Sequence, residues 1–544
     1  MSTIETYDAV REHWRYLRDA HLGGRHWATP SATTLGSTLL SWQTGIDESG
    51  QPICSRSTRT SYLVAHEGES DRRYDARRAI ANYVNIVGPV VKAYSEGVTA
   101  RVTRTVDVLA PFAEDMDRRG STWGEIAESA AQWACVYGVV ATVVDTPRRD
   151  VTGMSEAQRA AEKIAPYVVT VHPPAWAWVE CEDGRVVEFA YVSTPFRSDL
   201  STSGTAEVEL RVWRADRKIN GARVAGGWEV RQGGIAFSSK ATLAESAKGL
   251  KIVDSGELPA VLGGEIPVTF AFYDRDQASD CPMGISLIAD TADAARVIYN
   301  CLSWAMEVNA LAAFPFLAVP MQDTGGKLDQ STAAKLGPAQ GLGYSSGAGA
   351  PQWVEPSGTS QKELREHCVF TFQWAMRCAG LELAADSSAQ VQSGEALRIR
   401  SRDFESRALR FARNMQRWEV ATLRLYARMA GVDPEPIAVT YAKRITMSDP
   451  GEDLARALTV LAAPIEIGPE ARAMLVKVAL DASIPMSDEE LGAIYEQLRA
   501  MYLGDLTTYD AKQAVERMRA ENEAKGLALV AAESSAKAGT NAST

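Results

Sequence analysis

Gly343, Ser345 and Gly347 spell GxSxG, the spacing that can hold a serine nucleophile on a strained strand-to-helix turn. The flanks are wrong for it: PAQGL precedes and AGAPQ follows, neither a buried strand nor a helix, and His367 is the one histidine downstream. A flexible loop is the expectation. Asp274, Asp276 and Asp280 form an acidic cluster, but a calcium loop would need an oxygen ligand and a glycine where the chain has Ala278 and Ser279. A solvated turn serving as a helix N-cap is expected there. His13, His21, His26, His66 and His172 read as unclustered, and core or surface packing explains them better than metal ligation. HExxH, GxxxxGK[ST] and GxGxxG are missing. A row of arginines (398, 400, 402, 407, 410, 413 and 417) could grip phosphate. A solvated or intersubunit face paired with Asp403, Glu405 and Glu419 is the expectation, because the whole chain is acidic.

The chain has 544 residues, enough for three to four domains and a substantial core. Apolar residues at 46% and charged ones at 23% exclude a fibrous or disordered polymer. The net charge of −12 argues against tight nucleic-acid binding, which needs clustered Lys and Arg, but not against DNA sliding past. Seven cysteines (54, 135, 181, 281, 301, 368 and 378) include no CxxC pair and read as reduced, mostly buried thiols. The N-terminus lacks an apolar signal-peptide core, and the most apolar stretch, 309–321, is short and holds Pro315 and Pro320, so no membrane span is expected.

Several elements follow from spacing. Residues 5–20 suit an amphipathic helix, and 29–59 read as irregular. Residues 72–100 have helical periodicity interrupted near Gly88 and Pro89. Thr122 and Glu125 form a capping-box pair for a helix that Gly138 closes, and 139–144 is a buried strand. Ser155 and Gln158 suit another short helix. From 167 to 237 the period changes to two, as in Val208, Leu210 and Val212, and 266–273 is a further strand. The first half is therefore α+β with an antiparallel sheet. The second half is helical. Residues 285–313 place Ile288, Ala292, Ala295, Tyr299, Leu302 and Met306 on one face. A stretch with seven glycines between 325 and 349 interrupts it. Ser360 and Glu363 open the next helix, to about 383, and 384–394 is a polar gap. Leu397, Phe404, Phe411, Trp418 and Leu425 then recur every seven residues, with Ala408, Met415 and Met429 four residues after members of that row and Thr422 as the polar exception. That helix, about 55 Å long, must lie across several elements or against a neighbouring subunit. A strand at 437–441 and helices over 450–530, one capped by Ser487 and Glu490, complete the chain.

The order of these segments resembles the portal proteins of tailed bacteriophages. DRRYDARRAIANYVN (71–85) resembles the family's early "Y..R...A.y.N" helix, and GVVATVVDTP (138–147) its "G..g.lvD.P" strand. EIPVTFAFY (265–273) is similar to the "IPf..fy" strand. A long helix ending AAFPFLAV (312–319) follows it, and SGEAL (393–397) resembles the entry to the family's long helix.

The resemblance implies an α+β portal-type fold. Residues 1–283 would form an α/β wing, 284–313 and 359–383 two stem helices, 314–358 a small α/β clip, and 384–394 a tunnel loop. Residues 395–447 would be the long wing helix and strand, 448–532 a helical crown and 533–544 a disordered tail. It implies a ring, usually of twelve subunits, at one capsid vertex of a virion assembled in the host cytoplasm. The ring would be the channel for packaging and ejecting double-stranded DNA, with the major capsid protein, the large terminase and a head–tail adaptor as partners. No catalysis, cofactor, metal or membrane is implied. Asp386, Ser387, Ser388, Gln390, Gln392 and Ser393 would face DNA. Gly325, Gly326, Lys327, Gly341, Gly343 and Trp353 would belong to the clip that docks motor or adaptor. The competing expectation is a soluble α/β hydrolase using Ser345 or the Asp274/Asp276 cluster.

Overall fold

The computed structural model describes residues 2–24, 27, 62–67, 69, 71–147, 165–193, 205–219, 222–236, 248–312, 316–321, 342–345, 352–354, 359–381, 394–442, 473–477, 492 and 494–499. The chain divides into two compact units, Met1–Ile445 and Thr446–Thr544. The second unit is described only in helical stretches around 473–477 and 494–499; the latter falls within the helix expected after Ser487 and Glu490, whose cap lies outside the described residues, as do 29–59 in the first unit and the helix at Ser155.

The first unit begins with strand β1 (Ser2–Thr6) and helix α1 (Asp8–Leu22). The expected helix thus starts three residues late, behind a strand too short to show a period. Helix α2 (Asp71–Ile80) and helix α3 (Val87–Thr99) replace the single interrupted run. The break falls at 81–86, not at Gly88 and Pro89. Those two sit in the first turn of α3, where a missing N–H costs nothing. Strand β2 (Val102–Thr105) leads to helix α4 (Trp123–Tyr137). Thr122 and Glu125 make the reciprocal capping box, and Gly138 ends the helix with φ +84°.

Strands β3 (Val139–Asp145), β4 (Tyr167–Val171), β5 (Trp176–Glu182), β6 (Arg185–Val192), β7 (Thr205–Arg214), β8 (Gly227–Ala236), β9 (Lys251–Glu257) and β10 (Val268–Phe272) follow. They build a six-stranded antiparallel sheet in the order β1-β5-β6-β7-β8-β9 and a three-stranded one, β10-β3-β4. β3 is buried along its whole length, which is why its sequence is unbroken VVATVVD rather than alternating. Trp176, at the start of β5, is fully buried and meets Tyr7, Trp14 and Phe189 edge to face. It ties the helix α1 to both sheets.

Helix α5 (Ala289–Ala312) comes next, then strands β11 (Phe316–Met321), β12 (Leu342–Ser345) and β13 (Gln352–Val354) in a small sheet ordered β12-β11-β13. Helix α6 (Thr359–Cys378) follows. Ser360 therefore lies inside α6 and is not its N-cap. Helix α7 (Gly394–Ala430) has 37 residues, and strand β14 (Ala438–Tyr441) pairs with β2. The fold is α+β.

Along α7, Phe404, Ala408, Phe411, Met415, Trp418 and Leu425 are buried as the seven-residue row requires. Thr422, the polar exception, is buried too and shares a hydrogen bond with Thr269 (2.7 Å). The stripe packs on α3, β3, β10 and β14 of the same chain. The described part of α7 thus finds its core within one subunit and needs no neighbour to supply it. Glu419 was expected to pair with the arginine row. It lies instead on the buried side, fully enclosed, and accepts from Arg104 Nε (2.5 Å), Trp123 Nε1 (2.7 Å) and Tyr441 Oη (2.6 Å). Three separate elements meet on one carboxylate. Removing a buried charged partner typically costs about 3–5 kcal/mol because the groups left behind stay desolvated. Glu419→Leu is expected to lower unfolding free energy by about that amount in urea titrations, whereas the exposed Arg413→Ala should change it by under about 0.5 kcal/mol.

Candidate functional site

Helices α5 and α6 run antiparallel. Asp290 near the start of one sits by Cys378 at the end of the other, and Cys301 meets Cys368 further along. The entry to this hairpin is seated backbone to backbone. A Cβ on Gly138 would lie 2.5 Å from the Gly284 carbonyl carbon, so only glycine fits at this left-handed position. Ser286 Oγ donates to Val136 O (2.7 Å) and Leu287 N to Cys135 O (3.1 Å), which fixes the chain against the end of α4.

Farther along, Arg77 of α2 locks onto the hairpin. Its side chain is almost fully buried. It donates to both oxygens of Glu69 (2.9 and 2.6 Å), to Val64 O (2.7 Å) and to Ser303 Oγ on α5 (3.4 Å). His66 Nε2 lies 3.1 Å from Glu307. Asn300 completes the joint: it accepts from Val64 N (2.8 Å) and donates to Tyr62 O (3.2 Å). Tyr94 Oη of α3 donates to Ala379 O, just past the end of α6 (2.7 Å).

His66, Glu69 and Glu307 bring ligand-type atoms within 4.8 Å of one another. The expectation that His66 stands alone is therefore corrected: the loop before α2 folds it against α5. The Arg77 guanidinium already supplies the positive charge in that cluster, so the arrangement reads as a structural joint. Burial alone would raise the Glu69 pKa, but the Arg77 hydrogen bonds and the His66 N–H hold it at about 2.

Burial falls away along both helices. Ile288, Ala292, Ala295 and Tyr299 on α5 and Ala375, Met376 and Ala379 around the end of α6 are in the core. The same helices also carry large apolar side chains in solvent: Met306 is 44% exposed, Val369 49%, Phe370 65% and, next to buried Ala375, Trp374 52%. Between the helices opens a groove of about 720 Å³ whose walls include Val297, Trp304, Leu364 and His367. The indole N–H of Trp304 is buried there with no acceptor among the described residues. Charges on this part of α6 are of both signs, Lys362 with Glu366 in an i,i+4 pair and Arg365 between them.

The other sequence candidates separate. Asp386, Ser387, Ser388, Gln390, Gln392 and Ser393 lie outside the described residues, as do Gly325, Gly326, Lys327 and Gly341. Gly343 sits in β12 opposite Val319, and Trp353 in β13 opposite Leu317. Ser345 is the last residue of β12, opposite Met321, which corrects the loop expectation for 342–345; the residues after it lie outside the described ones. Asp274 pairs with Arg410 (3.1 Å), and Asp276 Oδ1 accepts from Ala278 N (2.9 Å) in a tight turn. The turn is as expected, but it caps no helix, since α5 begins at Ala289. The hydrolase alternative has no support. Of the arginine row, Arg407 pairs with Asp403 (2.8 Å), and Arg413 and Arg417 face solvent.

No family model matches the chain, and no curated protein matches it. Solved structures do. One is a chain in the neck of a native gene transfer agent (GTA) particle computed with C12 symmetry, at 13% identity over 71% of this chain and 88% of that one, with a TM-score of 0.35. Another is from the neck of an empty GTA particle computed with C6 symmetry, at 14% identity, 75% and 94% coverage and a TM-score of 0.40. A third is an HK97-family phage portal protein from Corynebacterium diphtheriae, at 13% identity, 69% and 95% coverage and a TM-score of 0.29. The chain is thus similar to phage portal and particle-neck structures. Among the described residues no helix is long and apolar enough to cross a membrane.

Because the folded-state pKa of Glu69 lies below its ordinary value of 4.5, the joint contributes fully above that value and is lost as pH falls toward 2. Denaturant titrations between about pH 5 and pH 2 should show a steeper loss of stability for the wild-type chain than for Glu69→Gln. At neutral pH, Arg77→Ala should cost about 3–5 kcal/mol.

Proposed function

We propose that this chain is the subunit of a portal: a ring of identical copies at one capsid vertex, through which double-stranded DNA is packaged and ejected. The observation that carries the reading is the α5–α6 hairpin. Both helices are held to the body, at Gly138–Gly284 and at Arg77 on Ser303, yet Met306 on α5 and Val369, Phe370 and Trp374 on α6 remain 44–65% exposed. A cluster of large exposed apolar side chains on one helix pair marks a surface for a partner. The occupant we assign is the same hairpin of a second copy. A head-to-tail contact of this kind closes into a ring when its rotation closes.

In that reading, residues 1–283 with α7 and β14 form the wing, α5 and α6 the stem, and the β12-β11-β13 sheet part of the clip that docks the packaging motor, the large terminase, and later the head–tail adaptor. The major capsid protein surrounds the ring in the virion, and residues 384–394 form the loop that meets DNA. Support for these assignments is the order of segments along the chain and the placement of a small mixed sheet between two long helices. Twelve copies at −12 each carry about −144. Such a wall repels phosphate and lets DNA slide.

Sedimentation velocity and mass measurement on purified protein test the proposal. Twelve copies of 58.9 kDa give particles of about 700 kDa. Phe370→Asp with Trp374→Asp should leave the helical circular-dichroism signal unchanged and weaken association at least tenfold. Wild-type protein that remains monomeric at all salt concentrations removes the proposal.

A further inference from the structure

Two thiols face each other inside the α5–α6 hairpin. Cys301 of α5 is 97% enclosed, as its 3% exposure states, and Cys368 of α6 is half-buried beside it. Both are free, and the Cys301 thiol interacts directly with the Cys368 sulfur. They sit on opposite helices, in the region where the hairpin leaves the body and the groove opens. Nothing in the portal reading uses them.

We propose that Cys301 and Cys368 are a dithiol site that closes to a disulfide stapling α5 to α6 when the protein meets a low-molecular-weight disulfide such as oxidised glutathione. Roles differ between the two sulfurs. Cys368 is the more accessible of the two. Cys368 is therefore the attacking sulfur and Cys301 the resolving one. In the first step the Cys368 thiolate attacks one sulfur of the small disulfide and expels one small thiolate. In the second, Cys301 gives up its proton, attacks Sγ of Cys368 and expels the other small thiolate. The two protons lost by the cysteines end on the two small thiols, and the two electrons end there as well. The protein gains one S–S bond and loses two hydrogens.

Burial holds the Cys301 thiol up at about 11 and raises Cys368 as well. Little thiolate is present at neutral pH, so the site reacts slowly and faster as the buffer is made alkaline. The crosslink joins positions 67 residues apart in sequence, and long closed loops lose the most unfolded-state entropy. It rests on the hairpin alone and stands whether or not copies assemble into rings.

The test incubates full-length protein with oxidised glutathione in mildly alkaline buffer, blocks remaining thiols with iodoacetamide and maps peptides without reduction. A Cys301–Cys368 crosslinked peptide is expected, together with a melting temperature raised by several degrees that dithiothreitol reverses. Cys368→Ser should abolish both and leave no glutathione adduct on Cys301. Cys301→Ser should abolish the shift but trap glutathione on Cys368. Glutathione held stably on both cysteines of the wild-type chain, or full alkylation of both after oxidation, would overturn the proposal. If both serine variants fail to fold, the wild-type peptide map alone still decides it.

Discussion

Apolar side chains left half in water on a helix pair that is fixed to the body are the constraint around which this molecule is organised. Full burial of such a side chain is worth roughly 1.5–3 kcal/mol relative to exposure, and with 44–65% of each of Phe370, Trp374, Val369 and Met306 still exposed a good part of that is unrealised within one copy. A flexible arm could fold back to hide them. This hairpin is not free to do so, because its base is fixed at the Gly138–Gly284 contact, at Arg77 and at Asn300. The unmet burial is therefore carried outward as a standing tendency to associate. That links the local packing of α2 and α4 to the proposed assembly in one chain of cause.

The body that holds the hairpin follows a complementary logic. Long-range polar contacts, each enclosed, stitch together elements far apart in sequence. Glu419 gathers Arg104, Trp123 and Tyr441, while Arg77 gathers Glu69, Val64 and Ser303. Such groups are costly to bury alone and valuable when fully paired, so they define one arrangement of the elements over others. A seat of this kind is what a ring needs. Small errors in hairpin angle would multiply around a closed circle, and a rigid joint suppresses them.

Much of the architecture is legible from local signals. The Thr122/Glu125 box, the Gly138 stop, the buried strand after it and the seven-residue row of α7 are all written in adjacent residues, and each appears where spacing places it. What escaped the sequence is what depends on closure over distance. Glu69 and Arg77 look like two surface charges eight residues apart until α5 covers them. Glu419 reads as one more acid beside an arginine row, yet it sits one helical step toward the core. β5 was hidden because WAWVECE is buried on both faces and shows no alternation. The Phe370/Trp374 i,i+4 pair was available in the sequence, but only the three-dimensional burial pattern separates the exposed part of α6 from its enclosed end. Cys301 and Cys368 likewise become a pair only when two helices are laid side by side.

Cryo-electron microscopy of the purified full-length chain addresses the central claim most directly. The account expects closed rings with an axial hole, in which the side chains of Phe370 and Trp374 pack against the hairpin of the next copy. Rings in which that face of α6 stays in solvent, or a population of single chains with no assembly, would contradict it.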